Sequence, residues 1–188
     1  MTGTRLVVLL LAAGLAACSS PNPDLYTIAP VQGPVLPGGP KVIALQQIST
    51  AHYLERSQIV RSSENYRLDV MSNDWWGESL SAMLSRVLTE ELGQRLPQST
   101  VIGETGAVSA SPDATIELNV QRLDEDATGN VVLQAQASVS FKGRPAPMLR
   151  SFRFVVTPPA AGTQGEVTAI STALGQLADG LASMLVGR

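Results

Sequence analysis

The sequence predicts an α+β fold: a single-layer antiparallel (mixed) sheet with two amphipathic helices packed on one face. Three observations predict it. Between residues 116 and 156, three segments alternate apolar and polar residues with period two. Residues 76–92 and 167–184 instead place apolar side chains at three- and four-residue steps. Strands read before, between and after these helical stretches, an order from which one α+β layer follows.

The chain opens with a targeting pattern. Arg5 supplies a positive charge, residues 6–11 are an unbroken apolar run, and residues 12–17 continue it with mostly small side chains. This run is about a dozen residues, short of the about 20 that a spanning helix needs, so it reads as a signal segment over residues 1–17. It ends in Leu15-Ala16-Ala17-Cys18, which resembles the lipobox of bacterial lipoproteins. A thiol there is the nucleophile that takes up diacylglycerol, and small residues before it let a peptidase reach the bond. Ser19 follows; in enterobacterial-type sorting a residue other than Asp favours the outer membrane. Cys18 is the single cysteine, so the mature chain forms no intrachain disulfide and stands on its apolar core. Several acyl chains, palmitate among them, at about 0.8 kcal/mol per buried methylene would hold far more firmly than one myristoyl group.

The mature part, about 170 residues, suits one domain. It carries 12 basic against 16 acidic residues, and no basic patch points to nucleic acid. Aromatics are 4% of the chain, so the core is expected to be aliphatic.

Residues 18–40 read as the lipidated cysteine and a Pro/Gly-rich tether containing an edge strand at residues 25–28; Pro30, Pro34, Pro37 and Pro40 exclude helix. Residues 41–188 read as the α+β domain. Its first element is a buried strand over residues 41–48. A loop with Tyr53 and Arg56 leads to short strands at 58–61 and 66–70, joined as a hairpin. Asn73-Asp74 can cap a helix beginning near Trp75. Its buried stripe runs through Trp76, Leu80, Met83, Leu84, Val87, Leu88, Glu91 and Leu92, all apolar but Glu91, and Gly93 and Pro97 mark its end. Two adjacent tryptophans on a helix point about 100° apart, so one would close the core and the other lie at its rim. Residues 100–102 form a short strand. Three alternating strands then follow over residues 116–121, 133–141 and 152–156, with turns at residues 128–130 and 142–144. Pro158-Pro159 stops the last one, and a second helix carries Val167, Ile170, Leu174, Leu177 and Leu181 up to Gly187.

Catalytic patterns are scarce. His52 is the only histidine and has no cysteine or second histidine to join it, so neither a zinc site nor a His-based triad is expected. No Gly-x-Ser-x-Gly and no phosphate-cradling loop occurs. Asp124, Glu125 and Asp126 lack the alternating spacing of a calcium loop and read as a solvated hairpin tip. Glu78, Glu90 and Glu91 read as surface partners for Arg86 or Arg95. No enzyme activity, no metal and no cofactor beyond the lipid on Cys18 is expected.

Tyr53-Leu54-Glu55-Arg56-Ser57-Gln58-Ile59-Val60 resembles a stretch of the PqiC-type auxiliary lipoproteins of MCE-linked ABC transporters, Tyr-Leu-Asp-Arg-Pro-Gln-Ile-Val. Trp76-Gly77-Glu78-Ser79-Leu80 is similar to their Trp-Ala-Glu-Pro-Leu, and Arg86-Val87-Leu88 to their Arg-x-Leu. Glu55, Ser57, Gly77 and Ser79 are departures that remove no charge. The resemblance implies a non-catalytic subunit of a system moving lipids across the periplasm and supporting envelope integrity. It would be anchored at the periplasmic face of the outer membrane, docking an MCE-domain protein and its ABC transporter. Phospholipid contact and a homo-oligomer matching a tubular partner are compatible with this. Docking candidates are Tyr53, Arg56, Gln58, Trp75, Trp76 and Glu78, with the sheet's polar face. An Arg56 lock onto Glu78 or Asp74 is also expected. Other readings are a lipid-binding carrier module, with an apolar cavity between helices and sheet and the Trp75 end as its mouth, and a structural envelope-assembly lipoprotein.

Overall fold

A computed structural model describes residues 22–64, 66–103 and 110–187. Cys18 and the signal segment lie outside the described residues. In order, the elements are β1 (Asp24–Tyr26), β2 (Val42–Leu45), β3 (Ser49–Thr50), a 3-10 helix (His52–Glu55), β4 (Gln58–Glu64), β5 (Arg67–Trp76), α1 (Leu80–Arg95), β6 (Thr100–Gly103), β7 (Ala114–Glu125), β8 (Val131–Phe141), β9 (Met148–Val156) and α2 (Thr163–Leu185).

The fold is α+β with mixed strands, as the patterning predicts, but the strands form two sheets where one was expected. The larger has the order β6-β2-β7-β8-β9, with β3 also on β7. Its β7-β8-β9 half is an antiparallel meander. Strand β2 lies parallel to both β6 and β7. The expected strand over residues 41–48 is thus two short pieces, β2 and β3, on the same edge of β7. The smaller sheet has the order β1-β5-β4.

The period-two segments behave as their chemistry requires. Ile116, Leu118, Val120, Leu133, Ala135 and Val139 are buried, whereas Glu117, Asn119, Gln121 and Gln136 are exposed. Both helices cover the apolar face. Leu84, Val87, Leu88 and Leu92 of α1, and Ile170, Leu174, Leu177 and Leu181 of α2, are fully or almost fully buried. Ile59 and Trp76 bring the smaller sheet into the same core, and Ile28, just past β1, joins them. Helix α2 sits close on β9 because Gly180 has no side chain: a Cβ there would lie 2.4 Å from the Phe152 ring.

The first helix begins later than the capping pattern suggests. Strand β5 runs through Trp76, and α1 starts at Leu80 with Ser79 as its N-cap residue. Tertiary pairing wins over the local Asn73-Asp74 signal. Asp74, Trp75 and Trp76 align in register with Asp24, Leu25 and Tyr26 of β1, and the Trp76 N–H donates to the Ser57 carbonyl at 2.7 Å. Gly93 lies inside α1, which ends at Arg95 ahead of Pro97.

Candidate partner-docking surface

The 3-10 turn and the root of the β4–β5 hairpin gather most of the docking candidates. Leu54 is buried and anchors the turn, leaving His52 in solvent with Nδ1 3.1 Å from the Glu55 carboxylate. Tyr53 is half-buried, and its hydroxyl donates to the Asp124 carboxylate at 2.5 Å. Burial, then that hydrogen bond and the carboxylate's charge, push the phenol well above its usual range. Asp124 is fully buried and also accepts from Arg122 at 2.9 Å, which corrects its reading as part of a solvated tip. The turn itself is held by Asp126, whose carboxylate accepts the Thr128 and Asn130 N–H groups.

Gln58 stands opposite Trp75 in the β4–β5 ladder. Trp76 is buried among Leu54, Ile59, Leu80, Leu123 and Ile170, while Trp75 is partly exposed and donates Nε1–H to the Ser72 carbonyl at 3.1 Å. One tryptophan therefore closes the core and the other lies at its rim, through strand alternation and not helical rotation. Arg56 and Glu78 are exposed.

The Arg56 lock is not formed. Glu78 pairs with Arg86 at 2.7 Å, and Asp74 accepts from the Thr163 hydroxyl at 2.8 Å. The Arg56 guanidinium has no carboxylate partner among the described residues. The surface pairing of Glu78 with Arg86 is as expected. Glu91 and Arg95, by contrast, are buried.

Those buried charges are what the sequence reading missed. Arg95 donates to Asp179 at 2.6 Å, to the Val31 and Glu91 carbonyls at 3.1 Å each, and to the Gly175 carbonyl at 3.0 Å. It thereby ties the proline-rich strap, residues 29–40, to both helices. The strap crosses the guanidinium at Gly33, where a Cβ would come within 2.3 Å of it. Glu91 accepts the Val31 N–H at 2.7 Å. Burial pushes its carboxyl up to about 7, opposed by that N–H and by Arg95. A second tie joins hairpin to helix: Arg61 donates to the buried Glu166 at 2.6 Å and to Thr163 at 3.2 Å. The one sequence signal for either tie was Glu91, the single charge in the apolar stripe of α1, four residues before Arg95.

A cavity lined by Leu54, Gln58, Ile59, Val60, Trp76, Leu80, Leu123 and Ile170 lies where a lipid-binding carrier would need its pocket. Its volume is about 10 Å³. That is room for one water at most, and none for an acyl chain. An open groove of about 440 Å³ runs over the polar face of the larger sheet, past Gln46, Glu117, Asn119, Gln136 and Leu149. No group of three or more His, Cys, Asp or Glu side chains stands ready to hold a metal ion among the described residues. No described helix is long and apolar enough to cross a membrane.

In this arrangement most polar side chains are tied to one another, and Arg56, Trp75 and Glu78 are presented at a rim. The family model of the ABC-type transport auxiliary lipoprotein component matches residues 26–182, and the chain belongs to that family. It is thus an auxiliary component of an ABC-type transport system, of a lipoprotein kind. Two solved structures are similar in fold at 16% identity. One is a protein described as uncharacterized, with a TM-score of 0.74 over 87% of this chain and 99% of its own. The other is a Xanthomonas campestris protein of the DUF330 family, with a TM-score of 0.71 over 87% of this chain and 94% of its own. A PelC variant dodecamer from Paraburkholderia phytofirmans aligns at 12% identity over 87% of this chain and all of its own; at a TM-score of 0.46 it says nothing about assembly here. No curated protein matches the chain in sequence.

Proposed function

We propose that this chain is the non-catalytic lipoprotein subunit of an MCE-type ABC system that moves lipids across the periplasm. Acylated at Cys18, it sits on the periplasmic face of the outer membrane and docks the periplasm-spanning MCE protein there. The observation that carries this reading is the family match over residues 26–182, an auxiliary transport lipoprotein, joined to Leu15-Ala16-Ala17-Cys18 at the start of the chain. A lipid tether confines the domain to one plane and raises its effective concentration for a partner arriving at that plane.

Arg56, Trp75 and Glu78 are the strongest contact residues, because their side chains are exposed or partly so. Tyr53 and Gln58 support the surface from behind. Trp76 serves mainly the core. An exposed Arg without a carboxylate partner and a partly exposed Trp are residue types favoured at interface centres.

The test is co-purification of the lipidated protein with its membrane partners, repeated with Arg56→Ala and Trp75→Ala. Recovery of an MCE-domain protein, lost in these variants while circular dichroism stays unchanged, supports the reading. Absence of any MCE-domain protein from the parent's partners refutes it.

A further inference from the structure

Near the turn of the β4–β5 hairpin, one face of β5 carries apolar side chains that no part of the described chain covers. Tyr66, in its turn, is fully exposed. Leu68 and Val70 on β5 are 46% and 44% exposed. Being two residues apart on a strand, they project to the same face. Between and beyond them the strand behaves differently: Asp69 pairs with Arg67 at 3.0 Å, and Met71 packs against the core. Single exposed apolar residues are ordinary, whereas several grouped at one protruding end mark a contact.

The direction of the chain says what that contact is. Strand β1 pairs in parallel with β5, with Asp24 opposite Asp74 and Tyr26 opposite Trp76. Chain entering a parallel partner comes from the same side as the start of its neighbour. Asn22 and Pro23 therefore enter β1 from the end where β5 begins, which is the tip of the hairpin. Six residue steps separate Cys18 from Asp24, a reach of at most about 20 Å. From Asp74 back to Arg67 is seven steps along β5, about 23 Å. The hairpin thus extends into the same gap that the tether can span.

We propose that Tyr66, Leu68 and Val70 rest in the interfacial layer of the bilayer that holds the acylated Cys18. This rests on the lipoprotein reading above. The chemistry of the tip suits that layer. Tyrosine favours the headgroup level with its ring in apolar surroundings and its hydroxyl in water. Leucine and valine gain from leaving water. Among the described side chains nearby, Arg67 pairs with Asp69 and Arg61 with Glu166. A second contact beside the lipid tether would fix the tilt of the domain. Trp75 and Gln58 lie at the far end of β5, about 25–30 Å from the tip, so they would be held up toward the periplasm where a partner arrives.

The experiment uses the full lipidated chain in vesicles of phosphatidylethanolamine and phosphatidylglycerol. An environment-sensitive fluorophore is attached at Leu68→Cys, at Val70→Cys, or at Leu149→Cys on the edge strand β9 as the comparison; acylated Cys18 has no free thiol to take it. Nitroxide-bearing lipids are then added as quenchers. The expected result is a blue shift and loss of emission at 68 and 70, with emission at 149 kept. Equal behaviour at the three positions overturns the proposal. So does emission at 68 that escapes lipid quenching but transfers energy between labelled copies, which would assign the tip to a second copy. A chain that does not float with the vesicles refutes acylation, and the membrane contact falls with it; flotation without quenching refutes the contact alone.

Discussion

Replacing Arg95 by Met should detach the proline-rich strap and lower global stability by about 3–5 kcal/mol, the usual cost of breaking a buried charge pair. The structure gives the reasons. The guanidinium is 1% exposed and makes four hydrogen bonds, to Asp179 and to three backbone carbonyls. Met fills much of the same volume, so the loss is electrostatic and not a cavity. The Glu91 and Gly175 carbonyls lie within helices, but the Val31 carbonyl depends on Arg95. Asp179 is 41% exposed and can recover water, which draws the cost toward the lower end of the range. Glu91 loses its nearest cation and keeps its proton to higher pH, which holds the cost down further. For a domain of this size, each kcal/mol moves the Tm by about 2–4 °C, so a loss near the lower end, about 3 kcal/mol, gives a fall of about 6–12 °C. Thermal unfolding of the lipidated protein in detergent, followed by circular dichroism, reads it. Native-state hydrogen exchange should show the Val31 N–H losing protection before the amides of β8. A Tm within 2 °C of the parent, with Val31 still protected, would refute the argument that Arg95 holds the strap.

Three further outcomes follow from the same contacts. Glu91 has a folded-state pKa of about 7, above its unfolded value near 4.5. An acid raised in this way is neutral in the folded state at low pH, so stability is fullest below pH 4.5 and falls until about pH 7, by about 3 kcal/mol for this group. Glu91→Gln should remove that slope and be more stable than the parent at pH 8; parallel stability–pH curves for the two proteins would count against it. Tyr53→Phe strips a hydrogen bond from the buried Asp124 carboxylate and should cost about 1.5–3 kcal/mol in denaturant unfolding, because the acceptor is charged. Gly180→Val forces the side chain into the Phe152 ring and should cost about 1–3 kcal/mol, seen as a lowered urea midpoint with the near-ultraviolet aromatic signal altered.

Legibility in the sequence followed the range of the interactions. The strands β7, β8 and β9 and both helices were readable, because their burial repeats at two or at three and four residues, and each repeat is decided locally. The start of α1 was misplaced because β1, about 50 residues earlier, claims Asp74, Trp75 and Trp76 as strand partners. The same pairing carries β5 further than the four or five residues expected, and splits the sheet in two. Arg95 and Glu166 look like ordinary terminal-turn charges; their partners Asp179 and Arg61 lie 84 and 105 residues away, and no local pattern reveals them. Asp124 was misread for a related reason: β7 continues to Glu125, so the acidic run begins inside the strand. The segment from Tyr53 to Gln58 was legible as a unit through its resemblance to a family stretch. Which of its side chains face solvent was not, and the structure separates Arg56 outside from Leu54 inside.

In-cell photocrosslinking tests the central claim most directly. A benzophenone side chain placed at Arg56, at Trp75 or at Leu149 reports what each position touches in the intact envelope. The account predicts an adduct with an MCE-domain protein from positions 56 and 75, on a mature chain whose mass shows acylation at Cys18. Adducts with no such protein from either position, or a mature chain lacking the lipid, would contradict it.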